Sequence, residues 1–281
     1  MNEHYEKYKK IYDCLAVVVL WAILYALCPS FDKTVNASHT AEGITTLVCN
    51  SVPENNTTVK TISLPSSLTD IGGSVFKGFA GIEEIEIPEN VSAIGSNVFS
   101  GCTSLHTVNI PNGITTIQEK SFYDCKSLKA LTLPTSVTSI GKNAFESSGI
   151  ENLNLNNKVS SITEECFKNC SSLQTVIGTG AITSIAKNAF RECSSLSTIV
   201  LPETCTSIGE YAFYKCTGFT TFTVPSSVLT INTCAFDYCT SNQSIILDWN
   251  ANDSTSRTIA SDAFGYDGVV VKYKDGTVYG N

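Results

Sequence analysis

Apolar and polar positions along this chain follow two rhythms in turn. The first is a set of apolar pairs one residue apart, Ile85/Ile87, Val108/Ile110, Leu131/Leu133, Leu153/Leu155 and Ile199/Leu201, which is the period of a strand with one buried face. The second comes shortly after: Ile140, Ala144 and Phe145 fall at i, i+4 and i+5, the spacing of one helical face in a segment too short for more than a turn or two. Between them stands a proline, at Pro65, Pro88, Pro111, Pro134, Pro202 and Pro225, which ends a strand by removing the next ladder donor. Asn156 and Thr179 take its place in the two remaining units. The pattern predicts strand, turn, short helical segment, turn.

This unit recurs. Phenylalanine stands at 76, 99, 122, 145, 167, 190, 213 and 236, in steps of 23 residues with a single step of 22. Isoleucine stands five positions before each, at 71, 94, 117, 140, 162, 185, 208 and 231. One such unit cannot bury its apolar side alone, but stacked copies share a continuous core, which is the physical reason for the repetition.

The stretch "IPENVSAIGSNVFSGCTSLHTVNI" resembles the BspA-like leucine-rich repeats, a 23-residue variety found on surface proteins of bacteria and protozoa. The resemblance covers residues 58–247, with a ragged ninth unit around Ile259 and Phe264. It implies an α/β repeat solenoid with a parallel β-sheet on the concave face and short helical or 3-10 segments on the convex face. It also implies adhesion to host cells and matrix proteins. The chain departs from the pattern at Glu146 to Ile150, where a residue is missing and Ser148 replaces the usual cysteine, and at "VIGTGAITSIAKNAF", which lacks the proline. The stack is expected to bend at both places.

The ends differ from the middle. Lys7, Lys9 and Lys10 precede an uncharged run from Cys14 to Phe31, so residues 1–37 read as a signal anchor or a cleavable signal peptide that exports the rest of the chain. Residues 38–57 form a linker and cap, 58–247 the eight repeats, and 248–281 a degenerate ninth repeat with a C-terminal β cap, in which Val269 to Tyr273 and Thr277 to Tyr279 pair across an Asp275-Gly276 turn. The expected location is the cell surface, with the C-terminus outside, or the secreted state. Asparagine acceptor triplets for glycosylation at Asn36, Asn55, Asn56, Asn90, Asn169, Asn242 and Asn252 fit that route.

Six of the 12 cysteines occupy one repeat position, Cys102, Cys125, Cys170, Cys193, Cys216 and Cys239, and read as a buried, reduced ladder. Cys166 and Cys205 replace core Ala and Val, whereas Cys234 is expected to face solvent. The net charge of -8 opposes nucleic-acid binding. His4, His39 and His106 have no second ligand at a metal spacing, so neither metal nor cofactor is expected. No GxSxG, phosphate loop or acid-base motif is present, and Glu164 with Glu165 reads as a solvated surface pair, so catalysis is not expected.

A function would sit on the outward strand residues. These form rows, one of Ser63, Glu86, Asn109, Thr132, Asn154, Ile177, Val200 and Thr223, beside one of Thr61, Glu84, Thr107, Ala130, Asn152, Thr175, Thr198 and Thr221. Such flat polar rows suit an extended protein or glycan partner. A scaffold protein of the cell surface without a dedicated ligand is the alternative, and the membrane enters only through the N-terminal apolar run.

Overall fold

A computed structural model describes residues 46–47, 57, 60–62, 64–239, 244–265 and 268–280. The predicted leader, Cys49, Ser63, Asn36, Asn55, Asn56 and Asn242 lie outside the described residues. Each coil of the solenoid contributes two very short strands, not one. The first strands, such as Thr61–Ile62, Glu84–Ile85 and Thr107–Val108, pair in parallel with their counterparts one repeat away. The second strands, such as Asp70–Ile71 and Ala93–Ile94, do the same on another side. In most, the inward residue is an aliphatic of the repeat, while Thr221–Val224 also turns Phe222 inward, and the proline turn between them is closed by bonds such as Val91 N–H to Pro88 C=O at 3.0 Å.

The helical segments expected after that turn are absent: among the described residues there is no helix, and the repeat isoleucine lies in the second strand. Backbone geometry supplies the reason. The residue two before each repeat phenylalanine has a positive φ, from Ser74 at 61° and Asn97 at 58° to Cys234 at 51°. So does the residue two after it, from Gly78 at 75° to Tyr238 at 55°. A left-handed residue at both places interrupts any right-handed helix. The amides then alternate in direction. Those of Ser74, Phe76 and Gly78 donate to Ser96, Val98 and Ser100 in the next coil, while those of Lys77 and Phe79 donate back within their own turn to Ser74 and Phe76. The spacing i, i+4, i+5 is thus produced by successive tight turns that bond coil to coil.

At the centre of the coils the repeat phenylalanines stack face to face. Ring centroids from Phe76 through Phe99, Phe122, Phe145, Phe167, Phe190, Phe213 and Phe236 lie 5.2–5.6 Å apart, and Phe264 continues the column at 5.8 Å. All are buried, together with most of the inward aliphatic residues of both strand ladders, while Ile199 and Ile259 are partly buried. Burying each ring is worth about 1.5–3 kcal/mol.

The cysteines of the ladder are buried as thiols. Each Sγ donates to the phenylalanine carbonyl of the preceding coil, as in Cys102 to Phe76 at 3.1 Å and Cys170 to Phe145 at 2.9 Å. Burial pushes the Cys102 and Cys170 thiols up to about 12. Cys166 and Cys205 are buried as expected. Cys234 is only half-buried and points its thiol toward the Asp262 carboxylate, 3.7 Å away.

Neither irregular unit disturbs the column. Across the 22-residue step Phe145 and Phe167 lie 5.4 Å apart with planes 2° from parallel. The missing residue is absorbed at Gly149, whose amide bonds to Cys125 C=O at 3.0 Å and whose Cα sits so close to the previous coil that a Cβ would meet Lys126 O at 2.0 Å. At "VIGTGAITSIAKNAF", which lacks the proline, Gly178 takes a φ of 70°, the Thr179 hydroxyl donates to the Val200 carbonyl, and Phe167 and Phe190 stay stacked at 5.3 Å. In the other unit without proline, Asn156 and Asn157 take φ values of 53° and 59°, and the Asn156 amide donates to the Pro134 and Val137 carbonyls. At the other end Val270–Tyr273 forms the last first strand, and Thr277 to Tyr279 returns against it through the antiparallel Lys272–Val278 bridge, as expected. The Tyr279 ring closes the column, edge-on to Phe264 at 5.3 Å.

Candidate functional site

The first strands put their outward residues into register. Thr61, Glu84 and Thr107 are paired, as are Ala130, Asn152, Thr175 and Thr198. In the second row Thr132, Asn154 and Ile177 are paired, and Thr221 and Thr223 align with Ser244 and Ile246. Of these, Glu84, Glu86, Thr107, Thr132, Asn152, Asn154, Thr198, Thr221 and Thr223 are exposed, whereas Asn109 and Thr175 are half-buried. Ile177 and Val200, at 50% and 71% exposure, interrupt the polar surface with an apolar pair on adjacent coils.

The N-terminal part of this face encloses space. A groove of about 840 Å³ is lined by Thr61, Glu84, Glu86, Thr107 and Asn109, with Leu64, Ser66, Pro88, Glu89 and Asn90 on its other wall. Three carboxylates, Glu84, Glu86 and Glu89, border it, and among the described residues none of them forms an ion pair. The neighbouring Glu83 is different: a hydrogen bond and the charge of Lys60, 3.0 Å away, hold its carboxyl below the usual range. The groove is therefore a slot of mixed apolar and polar lining bordered by acidic groups. Its far wall could not be found from strand alternation, because Glu89 and Asn90 belong to the proline turn.

Asn109 has a structural task. Its Oδ1 accepts the Ile87 amide at 2.6 Å and its Nδ2 donates to the Ile87 carbonyl at 2.8 Å, so the side chain splices two coils where the ladder ends. Asn154 similarly accepts the Asn156 amide at 2.9 Å. The acceptor triplets at Asn90, Asn169 and Asn252 stand on exposed turns.

Glu165 is not the solvated carboxylate expected from the sequence. It accepts from Asn143 at 2.9 Å and pairs with Lys168 at 3.1 Å, and Lys168 also bonds Glu146 at 3.1 Å. Burial raises the Glu165 pKa, but the Asn143 and Lys168 hydrogen bonds outweigh it, and the net direction is down. Glu164 pairs separately with Lys142 at 3.1 Å. These contacts tie neighbouring coils together and leave no free acid and base facing one another. Among the described residues no group of His, Cys, Asp and Glu is placed to hold a metal ion, and no helix is long and apolar enough to cross a membrane.

A stack of parallel coils with a slot along one strand ladder defines a leucine-rich-repeat scaffold. The sequence matches the BspA type leucine-rich repeat region in 6 copies over residues 50–174 and 161–267, and the chain belongs to that family. It is similar to the crystal structure of a leucine-rich repeat protein from Bacteroides ovatus, with 26% identity and a TM-score of 0.59 over 76% of this chain and 63% of that one. A leucine rich cell surface protein from Faecalibacterium prausnitzii is similar at 25% identity and a TM-score of 0.53, over 73% of this chain and 64% of that one. A leucine-rich repeat protein from Eubacterium ventriosum is similar at 25% identity and 0.53, over 64% and 59%. The chain thus spans less than two thirds of each of these proteins. None of the curated proteins matches it.

Proposed function

We propose that this protein is displayed at the cell surface and binds a macromolecular partner across its first-strand face, with the groove at Glu84, Glu86 and Thr107 as the centre of contact. The observation that carries the reading is the groove itself: three carboxylates without ion-pair partners among the described residues border an 840 Å³ slot on this face. Unpaired acidic groups around a concavity attract a basic segment and raise its rate of encounter. The similarity to the F. prausnitzii cell surface protein supports the location. A polar strand face on a rigid stack is the kind of surface across which solenoids take extended partners.

The test is binding of the purified chain to intact host cells and to immobilised matrix proteins, compared with a Glu84→Gln, Glu86→Gln, Glu89→Gln triple variant. Loss of about tenfold or more in affinity, and a weaker salt dependence, is expected. These substitutions keep shape and touch no buried group, so melting should be unchanged. Equal binding by the variant removes the groove from the reading, and no binding by the parent leaves a scaffold without a ligand.

A further inference from the structure

The turn side of the last coils carries a different surface. Arg191, Tyr211, Tyr214, Lys215 and Tyr238 lie beside one another there. The Tyr211 and Tyr214 rings meet edge to face at 5.4 Å, and Tyr214 and Tyr238 at 5.2 Å. The Arg191 guanidinium lies 5.0 Å from the centre of the Tyr214 ring, and the Lys215 ammonium lies 5.4 Å from Tyr214 and 5.8 Å from Tyr238. Cations held over ring faces steady the tyrosines against the backbone. Tyr238 nevertheless keeps 51% of its surface exposed. Beside it runs an open groove of about 450 Å³ lined by Ser171, Glu192, Ser194, Lys215, Thr217 and Tyr238.

We propose that this strip is a carbohydrate-binding surface for a neutral, extended oligosaccharide. A pyranose ring presents an apolar C–H face and a rim of hydroxyls. The strip presents ordered aromatic rings with polar tips, and next to them the hydroxyls of Ser171, Ser194 and Thr217 with the carboxylate of Glu192 and the ammonium of Lys215. Across strip and groove, Arg191 and Lys215 stand beside the Glu192 carboxylate, which pairs with Arg191 at 3.5 Å, so no cluster of like charge is left to select a polyanion. The Phe190, Phe213 and Phe236 rings, one from each coil here, have centroids 5.2–5.3 Å apart. That is close to the rise of one sugar unit in an extended chain, so successive units meet equivalent rows. A polypeptide strand finds less to hold: the amides of Phe190, Glu192, Phe213 and Lys215 already bond to the next coil. The inference does not rest on the first-strand face, which occupies another segment of every coil.

The experiment is saturation-transfer NMR of the full chain with cellohexaose, chitohexaose and mannohexaose, followed by titration. At least one should bind saturably, and Tyr214→Ala and Tyr238→Asn should each weaken it about tenfold or more, the scale of an aromatic hot spot. Asparagine accepts the left-handed backbone at position 238, so an unchanged melting curve for that variant confirms an intact stack. The Glu86→Gln substitution should leave saccharide binding unchanged. Failure of all three hexasaccharides to bind at millimolar concentration, or binding that survives both tyrosine substitutions, overturns the proposal.

Discussion

A phenylalanine in this chain has a ring above and a ring below, and both contacts are supplied by the same residue of the neighbouring repeats. Removing one therefore opens a gap in a column that close neighbours cannot fill. Phe167→Ala is expected to cost about 3–5 kcal/mol, read as a lowered denaturant midpoint. The ladder cysteines give a second residue-scale expectation. Their protons stay on in the folded chain up to about 12 at Cys102 and Cys170, whereas the unfolded thiols release theirs near the ordinary value of 9.0. The folded state then holds more protons than the unfolded one between those limits. Stability from this source is complete below the lower limit and falls as pH rises through the window. Denaturant midpoints measured from neutral to strongly alkaline pH should be flat at first and then drop. Among the described cysteines, Cys234 should be the first to react with a maleimide in the native state, with the ladder reacting only on unfolding. The buried roles of Phe99 or Cys193 could be read from the sequence because one side-chain type recurs at one position. The Asn109 splice could not, since an outward asparagine on a strand looks the same whether its amide meets water or the backbone of Ile87.

At the scale of the element, the first strand and its proline turn were legible, and the segment after them was not. Apolar spacing cannot distinguish a helical turn from a chain of tight turns, because both bring Ile140 and Phe145 to one side. The distinguishing signal was small and polar residues two places before the phenylalanine, such as Ser74, Asn97, Asn143 and Asn188, with Gly78 and Gly101 two places after it. Those residue types tolerate positive φ. Asn97→Val should accordingly lower stability by about 1–2 kcal/mol without disturbing any core contact, checked by thermal unfolding. Gly149→Ala should be worse, because the added carbon would stand 2.0 Å from the Lys126 carbonyl oxygen and the shortened turn has no slack. A larger loss from Gly149→Ala than from Gly276→Ala is expected, since nothing lies within 4 Å of a Cβ at the latter, although its φ of 88° is strained too.

For the molecule as a whole, the repeat register determined which side chains share a row, and the rows were readable from the residues alone. The enclosed space was not, because the groove is bounded by Glu89 and Asn90 from a turn that alternation ignores. Nor was the difference between the two sides: a polar strand face with an acidic slot, and a turn face with a tyrosine strip. Among the described residues each coil is bonded to the coil before and the coil after, through two strand ladders and one ladder of turns. Pulled at the ends of its described coils, such a stack is held by neighbour-to-neighbour bonds, so load falls on one interface at a time. A tethered chain should lengthen in small equal steps, each freeing about 70–80 Å of contour from one 23-residue coil. It would then act as an extensible leash under shear, giving way gradually where a globular domain would snap.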